Sequence, residues 1–91
     1  MEVKKVNGKQ MTLEDIQDWL VQYVSDTLEI PTANIDLDES FKNLGFDSIS
    51  AVELSEKIGS FLNLEEALDP TVTYDYTTIN QLSGYLENLT K

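Results

Sequence analysis

Apolar residues recur at steps of three and four positions in three stretches of the chain, which is the spacing of one face of an α-helix. The first stretch follows Thr12, and Asp15 three positions later suits a helix that begins with a capping box. Pro31 ends this helix, because the residue before a proline avoids the α region. Trp19 flanks the apolar stripe, and we expect it to have a packing role. The stripe consists of Leu13, Ile16, Leu20, Tyr23, Val24 and Leu28.

The second and third stretches predict two further helices. One begins at Asp47 or Ser48 and runs to about Leu62. Its apolar positions are Ala51, Val52, Leu54, Ile58, Phe61 and Leu62. The other is capped by Thr77 or Thr78 and carries Ile79, Leu82, Tyr85, Leu86 and Leu89. The three stretches predict an all-α fold, a small three- to four-helix bundle.

A long connection, residues 29–46, joins the first two helices. Ser40 begins a short turn within it that ends near Gly45. Its apolar residues are spaced too irregularly for a helix or a strand, so we expect them to attach the connection to the core. These residues are Ile35, Leu37, Phe41 and Leu44. A connection of this length within a compact domain is often functional.

Residues 63–73 form a second connection, in which Pro70 excludes a continuous helix. Residues 71–74 have the composition of a short strand. The sequence offers no convincing partner strand, however, and the fold class remains helical.

The length of 91 residues predicts one domain, which we place at residues 12–91 after a flexible leader, residues 1–11. Hydrophobic residues make up 41% of the chain, which is enough for a core. The 17 acidic and 6 basic residues give a net charge of −11. A field of that sign repels nucleic acids and anionic membranes and favours protein partners with basic patches.

Several classes of chemistry are excluded by the residues that the sequence lacks. The chain contains no cysteine and no histidine. It therefore has no disulfide, no Cys/His zinc site, no thiol nucleophile and no Ser-His triad. No apolar stretch approaches the length of a membrane span, and the first ten residues lack the apolar block of a signal peptide. We expect a cytoplasmic protein without a bound metal.

Ser48 follows Gly45, Phe46 and Asp47 at the start of the second predicted helix. The N–H groups of a first helical turn lack intrahelical partners, and the helix dipole is positive at that end. A phosphate on the Ser48 hydroxyl would therefore lie at an anion site. The residues alone also allow a plain structural role, in which Ser48 caps the helix or Asp47 caps it and Ser48 merely follows.

Two segments resemble the acyl carrier proteins, most closely the polyketide-synthase type. Residues 44–54 read Leu-Gly-Phe-Asp-Ser-Ile-Ser-Ala-Val-Glu-Leu, similar to the attachment motif of that family. Residues 71–79 read Thr-Val-Thr-Tyr-Asp-Tyr-Thr-Thr-Ile, similar to the segment before its last helix. Tyr74 replaces a common phenylalanine and Thr77 a common proline. The resemblance covers residues 12–89 and implies a helical bundle of the acyl-carrier type.

The resemblance implies a non-catalytic carrier. Family members bear 4′-phosphopantetheine, derived from coenzyme A, on the motif serine, here Ser48. The thiol of this group carries acyl intermediates as thioesters in polyketide, fatty-acid or hybrid biosynthesis. The implied partners are a phosphopantetheinyl transferase, a ketosynthase, an acyltransferase and other synthase or tailoring enzymes. We expect the domain to be a monomer.

The residues beside Ser48 take expected roles from the same resemblance. Gly45 permits a tight or left-handed backbone before the helix. Phe46 either anchors the connection or lies beside the arm. Asp47 caps the helix and offers a charge to the transferase.

On the helix itself, Ile49 and Val52 are either core residues or an exposed contact patch. Glu53 and Glu56 share one face and would meet basic residues of a partner, although Glu53 has an alternative partner in Lys57.

Two alternative functions remain open at this point. A peptidyl or aryl carrier is one, although peptidyl carriers usually show Gly-Gly-x-Ser and Phe46 occupies the place of the second glycine. The other is an acidic protein-interaction domain that carries no modification.

Overall fold

The computed structural model describes residues 12–64 and 68–90, and the predicted leader lies outside the described residues. The longer helices are α1 (Leu13–Leu28), α3 (Ser48–Phe61) and α5 (Ile79–Leu89), and the short ones are α2 (Phe41–Leu44) and α4 (Val72–Asp75), with a 3₁₀ turn at Thr32–Asn34. Among these residues there is no strand, and Ser40 and Thr78 form an isolated antiparallel bridge. The predicted all-α fold is confirmed.

The ends of the helices follow the local sequence. The Thr12 hydroxyl accepts a hydrogen bond from the Asp15 N–H at 3.1 Å, and Asp15 accepts one from the Thr12 N–H at 3.4 Å. This is the predicted capping box. α1 ends at Leu28, and Glu29 takes a left-handed conformation two residues before Pro31. Of the two threonines considered for α5, Thr78 is the cap, since its hydroxyl accepts from the Gln81 N–H at 3.1 Å.

The core lies between the inner faces of the three longer helices. Its fully buried members are Ile16, Leu20, Val24, Leu54, Ile58, Ile79, Leu82 and Leu86. The Trp19 ring stacks on Phe61 near the end of α3, with centroids 4.4 Å apart, which confirms its packing role. The C-terminal end of α1 lies near the segment that leads into α3, because a side-chain carbon of Leu28 is 3.7 Å from where a Cβ on Gly45 would stand. α1 and α3 are therefore antiparallel.

The connection of residues 29–46 is held on the bundle by its apolar residues and by backbone hydrogen bonds. Ile35 and Phe41 are buried, as predicted. The Phe41 N–H donates to the Thr77 carbonyl at 2.8 Å, and the Asn80 N–H donates to the Leu37 carbonyl at 3.1 Å. The short turn predicted after Ser40 is α2. These bonds join the residues before Ser48 to the start of α5.

Residues 71–74 are not a strand. Thr71 precedes α4, and residues 72–75 form its single turn, in which the Tyr76 N–H donates to the Val72 carbonyl at 2.9 Å. A lone strand would leave its backbone groups without partners, whereas a helical turn satisfies them locally. The turn buries Val72 and Thr73 and leaves Tyr74 exposed beside the start of α3.

Candidate functional site

Ser48 is the first residue of α3, and its side chain is exposed. Asp47 precedes it in an extended conformation and caps the helix, because its Oδ1 accepts a hydrogen bond from the Ser50 N–H at 2.8 Å. Of the alternatives that the sequence left open, Asp47 is therefore the cap. The Ser48 hydroxyl takes no part in this cap, and the residue is exposed.

The Asp47 carboxylate is stabilised by the hydrogen bonds that it accepts. The Ser50 N–H holds the pKa of Asp47 below its ordinary value, and the Ser50 hydroxyl adds to this effect. The Asp47 side chain is exposed and stays ionised at neutral pH. A negative charge, held in place by the helix cap, thus stands on the residue that precedes Ser48.

Gly45 and Phe46 set the path of the chain into α3. Gly45 ends α2 with a φ of 117°, a left-handed conformation that favours glycine, so the predicted backbone conformation is confirmed. Phe46 is buried, its ring centroid lies 5.5 Å from that of Phe41, and its N–H donates to the Phe41 carbonyl. Phe46 therefore anchors the connection, and it also lines the cleft next to Ser48.

The outward side of α3 carries the four residues predicted as a contact surface: Ile49, Val52, Glu53 and Glu56. Ile49 is 69% exposed and Val52 is 42% exposed, so neither belongs to the core. Both glutamates are exposed as well. Val52 and Glu53 lie three and four residues after Ile49, and Glu56 lies four and three residues after them, so the four positions share one face of the helix. We call this surface the α3 outer face.

A cleft of about 530 Å³ opens next to Ser48. The cleft is lined by residues of α2, by residues at the start of α3, by residues of α4, and by Thr77, which precedes the cap of α5. The lining residues are Ser40, Phe41, Lys42, Phe46, Asp47, Ser48, Thr73, Tyr74 and Thr77. Sequence reasoning did not predict that Lys42, Thr73 and Tyr74 belong to the site. The available signal was the resemblance of residues 71–79, which marked this segment but not its position beside Ser48.

The described residues contain no group of three or more acidic side chains arranged to hold a metal ion. In the same part of the chain, no helix is long and apolar enough to cross a membrane.

Residues 18–86 match the family model described as "Phosphopantetheine attachment site". The chain belongs to this family, whose members are non-catalytic carriers with covalently attached 4′-phosphopantetheine.

Among curated relatives, the chain is 31% identical over 85 residues to polyketide synthase PksL of Bacillus subtilis, which covers 93% of this chain and 2% of that protein. It is 46% identical over 44 residues to acyl carrier protein TtuC of Teredinibacter turnerae, which covers 48% of this chain and 51% of that protein. The chain thus spans a small part of the synthase and about half of TtuC.

Two solved structures resemble the whole bundle. A free-standing peptidyl carrier protein from Acinetobacter baumannii has a TM-score of 0.80 at 30% identity, covering 92% of this chain and 100% of the other. The HMG-ACPI domain from the CurA module of Lyngbya majuscula has a TM-score of 0.77 at 31% identity, covering 99% and 89%. The acyl-carrier fold is confirmed, and peptidyl and acyl carriers share it.

Proposed function

We propose that this chain is an acyl carrier domain of polyketide biosynthesis and that Ser48 is its attachment residue for 4′-phosphopantetheine. The observation that carries the proposal is the exposed Ser48 hydroxyl at the first position of α3, left out of the helix cap by Asp47. A visiting transferase needs a hydroxyl that is accessible and not held by the fold. The position of Ser48 meets both conditions.

The residues around Ser48 suit a phosphodiester. α3 is 14 residues long, and the dipole at its N-terminal end favours a negative group there. Lys42 lines the same cleft as Ser48 and supplies a positive charge. When it is attached, the group provides a thiol that carries acyl chains as thioesters, which no side chain of this cysteine-free sequence provides.

Ser48 needs a base from the transferase, because the chain contains no histidine and Asp47 is engaged as the helix cap. In the transfer, the Ser48 Oγ forms a bond to the phosphorus that bears the pantetheine. The bond from this phosphorus to the departing adenosine 3′,5′-bisphosphate breaks, and the serine proton passes to the base of the transferase.

Intact mass spectrometry tests the assignment. We expect the chain, incubated with coenzyme A, magnesium and a broad-specificity transferase, to gain one phosphopantetheinyl group. Ser48→Ala should gain none, whereas Ser50→Ala, which removes a hydroxyl two residues further along α3, should be modified like the natural sequence. An unmodified natural chain, with a transferase that modifies a reference carrier in parallel, would contradict the proposal.

We further propose that the α3 outer face is where the transferase, ketosynthase, acyltransferase and tailoring enzymes dock. Support comes from the exposure of Ile49 and Val52 next to Ser48 and from the two exposed glutamates on the same face. Charged contacts of this kind favour fast encounters, and a small apolar patch keeps the complex short-lived. A carrier that visits several enzymes in turn needs both properties.

A peptidyl carrier is the second candidate, and the similarity to the Acinetobacter peptidyl carrier protein supports it. Phe46 in place of a glycine favours the acyl type. Loading assays separate the two: an acyltransferase should load the modified chain, and an amino-acid-activating enzyme should not. The cytoplasmic location and the monomeric state remain predictions.

A further inference from the structure

Asn80, the second residue of α5, joins three parts of the chain through its side-chain amide. Its Oδ1 accepts a hydrogen bond from Gln17 Nε2 of α1 at 2.7 Å, and its Nδ2 donates to Asp38 Oδ1 of the connection at 2.6 Å. In residues 12–64 and 68–90, the other side-chain hydrogen bonds join residues at most four positions apart. Within this part of the chain, Asn80 therefore provides the side-chain hydrogen bonds that tie distant segments together.

The two partners of Asn80 fix which way its amide faces. The Asp38 carboxylate only accepts hydrogen bonds, so the NH₂ group of Asn80 faces it and the carbonyl oxygen faces the Gln17 amide. A carboxylate at position 80 would bring a second negative charge to Asp38, and an apolar side chain would leave both partners without their bonds. Position 80 thus needs a group that donates on one side and accepts on the other.

The backbone of Asn80 holds the same stretch of the connection. Its N–H lies in the first turn of α5, where it lacks an intrahelical partner, and it donates to the Leu37 carbonyl at 3.1 Å. Four residues after Leu37, the Phe41 N–H donates to the Thr77 carbonyl at 2.8 Å. Residues 37–41 are thus attached to the start of α5 at both ends.

From Phe41, a series of contacts leads on to Ser48. The Phe41 carbonyl accepts hydrogen bonds from the N–H groups of Gly45 at 3.1 Å and Phe46 at 2.9 Å. The Phe41 and Phe46 rings are buried with their centroids 5.5 Å apart. Asp47, the cap of α3, follows Phe46 and directly precedes Ser48. The conformation of the first turn of α3 therefore depends on how firmly Phe41 is held.

We propose that Asn80 is a positioning residue for Ser48: its amide holds residues 37–41 on α5 and, through Phe41, keeps the first turn of α3 in the conformation in which the Ser48 hydroxyl is modified. The inference rests on the proposed attachment at Ser48. A nucleophile held in one orientation reacts faster than one that moves. Asn80 belongs to α5 and not to the α3 outer face, so it acts on the transfer step and leaves docking unchanged.

Exchanging the amide and the carboxylate between positions 38 and 80 tests the proposal. Asn80→Asp brings two carboxylates together and should lower the rate of modification at saturating carrier by about fivefold, the effect of one ordinary hydrogen bond. In the double variant Asp38→Asn with Asn80→Asp, the amide at position 38 donates to the carboxylate at position 80, which still accepts from Gln17. This variant has the net charge of the natural chain and should recover most of the natural rate.

Docking is measured separately, with chains that cannot be modified. Ser48→Ala with Asn80→Asp should inhibit modification of the natural chain as strongly as Ser48→Ala alone, because the α3 outer face is intact. Amide hydrogen exchange at Phe41 and Phe46 should be faster in Asn80→Asp and should return towards its natural rate in the double variant.

Asn88→Asp is the matched control, because it makes the same change of charge at an exposed residue near the other end of α5. It should leave the rate of modification and the hydrogen exchange unchanged. Asn80→Ala removes both side-chain bonds without adding a charge. It should also slow the modification, and it serves if Asn80→Asp fails to fold.

The possible outcomes separate the two proposals. If the folded Asn80 variants are modified as fast as the natural chain, or if the double variant is as slow as Asn80→Asp, the positioning role is wrong and attachment at Ser48 stands. A weaker inhibition by Ser48→Ala with Asn80→Asp would mean that Asn80 supports docking, and the positioning role would again be wrong. If the natural chain gains no mass, both proposals fail.

Discussion

At the start of α3, two adjacent residues divide two tasks between them. Asp47 accepts the hydrogen bond that caps the helix, and Ser48 presents a hydroxyl to the solvent. A serine that also capped the helix would have to give up a hydrogen bond before it could be modified. We infer that the acidic cap would leave the proposed modification of Ser48 without a direct cost in helix capping.

The first prediction concerns the cap. Asp47→Ala should lower the free energy of unfolding, because the Ser50 N–H loses its partner, whereas Asp47→Asn should not, because asparagine caps about as well. Urea unfolding followed by circular dichroism measures both. Equal losses in the two variants would show that the carboxylate matters for its charge and not for its hydrogen bond.

The pH dependence of the cap follows from the lowered pKa of Asp47, whose ordinary value is 3.8. The folded state binds fewer protons there than the unfolded state, so the contribution is present above pH 3.8 and is lost as the pH falls through the folded pKa. The asparagine side chain of Asp47→Asn cannot titrate, so the natural chain should lose stability relative to this variant only in acid. A stability difference between the two that is constant from about pH 7 to about pH 2.5 would contradict this.

The second prediction compares two glycines. Gly45→Ala should cost about 1–2 kcal/mol of unfolding free energy, because alanine is strained at a φ of 117°. The space is adequate, since the nearest side-chain atom to an added Cβ is 3.7 Å away. Gly59→Ala, inside α3 with nothing within 4 Å, should instead stabilise the chain by about 0.5–1 kcal/mol. Thermal unfolding of both variants measures whether the unfolding free energy falls or rises. A change in the same direction for both variants would contradict the prediction.

At the scale of elements, α3 has a buried face and an exposed face. Its inner face is buried against α1 and α5, and its outer face carries the exposed residues next to Ser48. Substitutions on the two faces should therefore separate stability from docking.

The third prediction uses this separation. Leu54→Ala should cost about 2–5 kcal/mol, because Leu54 is fully buried. Val52→Ala should change the free energy of unfolding by less than about 0.5 kcal/mol, because Val52 is 42% exposed, yet it should slow modification by the transferase. Chemical unfolding and initial rates of modification, measured on both variants, test the pair. An unchanged rate in Val52→Ala would remove Val52 from the docking surface.

At the scale of the whole molecule, the net charge of −11 acts on every encounter. Its field attracts any partner with a basic surface, but only local charges decide where that partner docks. Making the same change of charge at two different places on the surface separates general attraction from local docking.

The fourth prediction compares two double variants of equal net charge. Glu53→Lys with Glu56→Lys should slow modification at low salt by about tenfold. Asp18→Lys with Glu87→Lys, on α1 and α5, should have a smaller effect. The difference should shrink as salt is added, because exposed charges are screened over about 8 Å at physiological ionic strength. Equal slowing by the two variants would show that net charge, and not the α3 outer face, governs docking.

Local chemistry made much of the fold predictable. Thr12 with Asp15, Ser40, and Asp47 cap their helices through contacts within three residues, so the sequence is sufficient to place these starts to within one residue. The same local reasoning gave residues 71–74 the composition of a short strand and did not predict α4, because the composition of four residues does not distinguish a short strand from a single helical turn. Because the described residues contain no strand with which this segment could pair, its backbone groups are satisfied by the helical turn of α4.

By itself, the sequence determined the three longer helices, the capping box of α1, the acidic charge and the serine that follows Asp47, because helical periodicity and capping act over a few residues; for α3 and α5 it placed the cap only to within two adjacent residues. Only the tertiary structure decided that Ile49 and Val52 face outward and that Lys42 and Thr73 line the cleft beside Ser48. Burial and cavities arise where segments distant in the chain meet. Here α2 and the segment that follows α4 meet through the bond from the Phe41 N–H to the Thr77 carbonyl, a contact that no local pattern encodes.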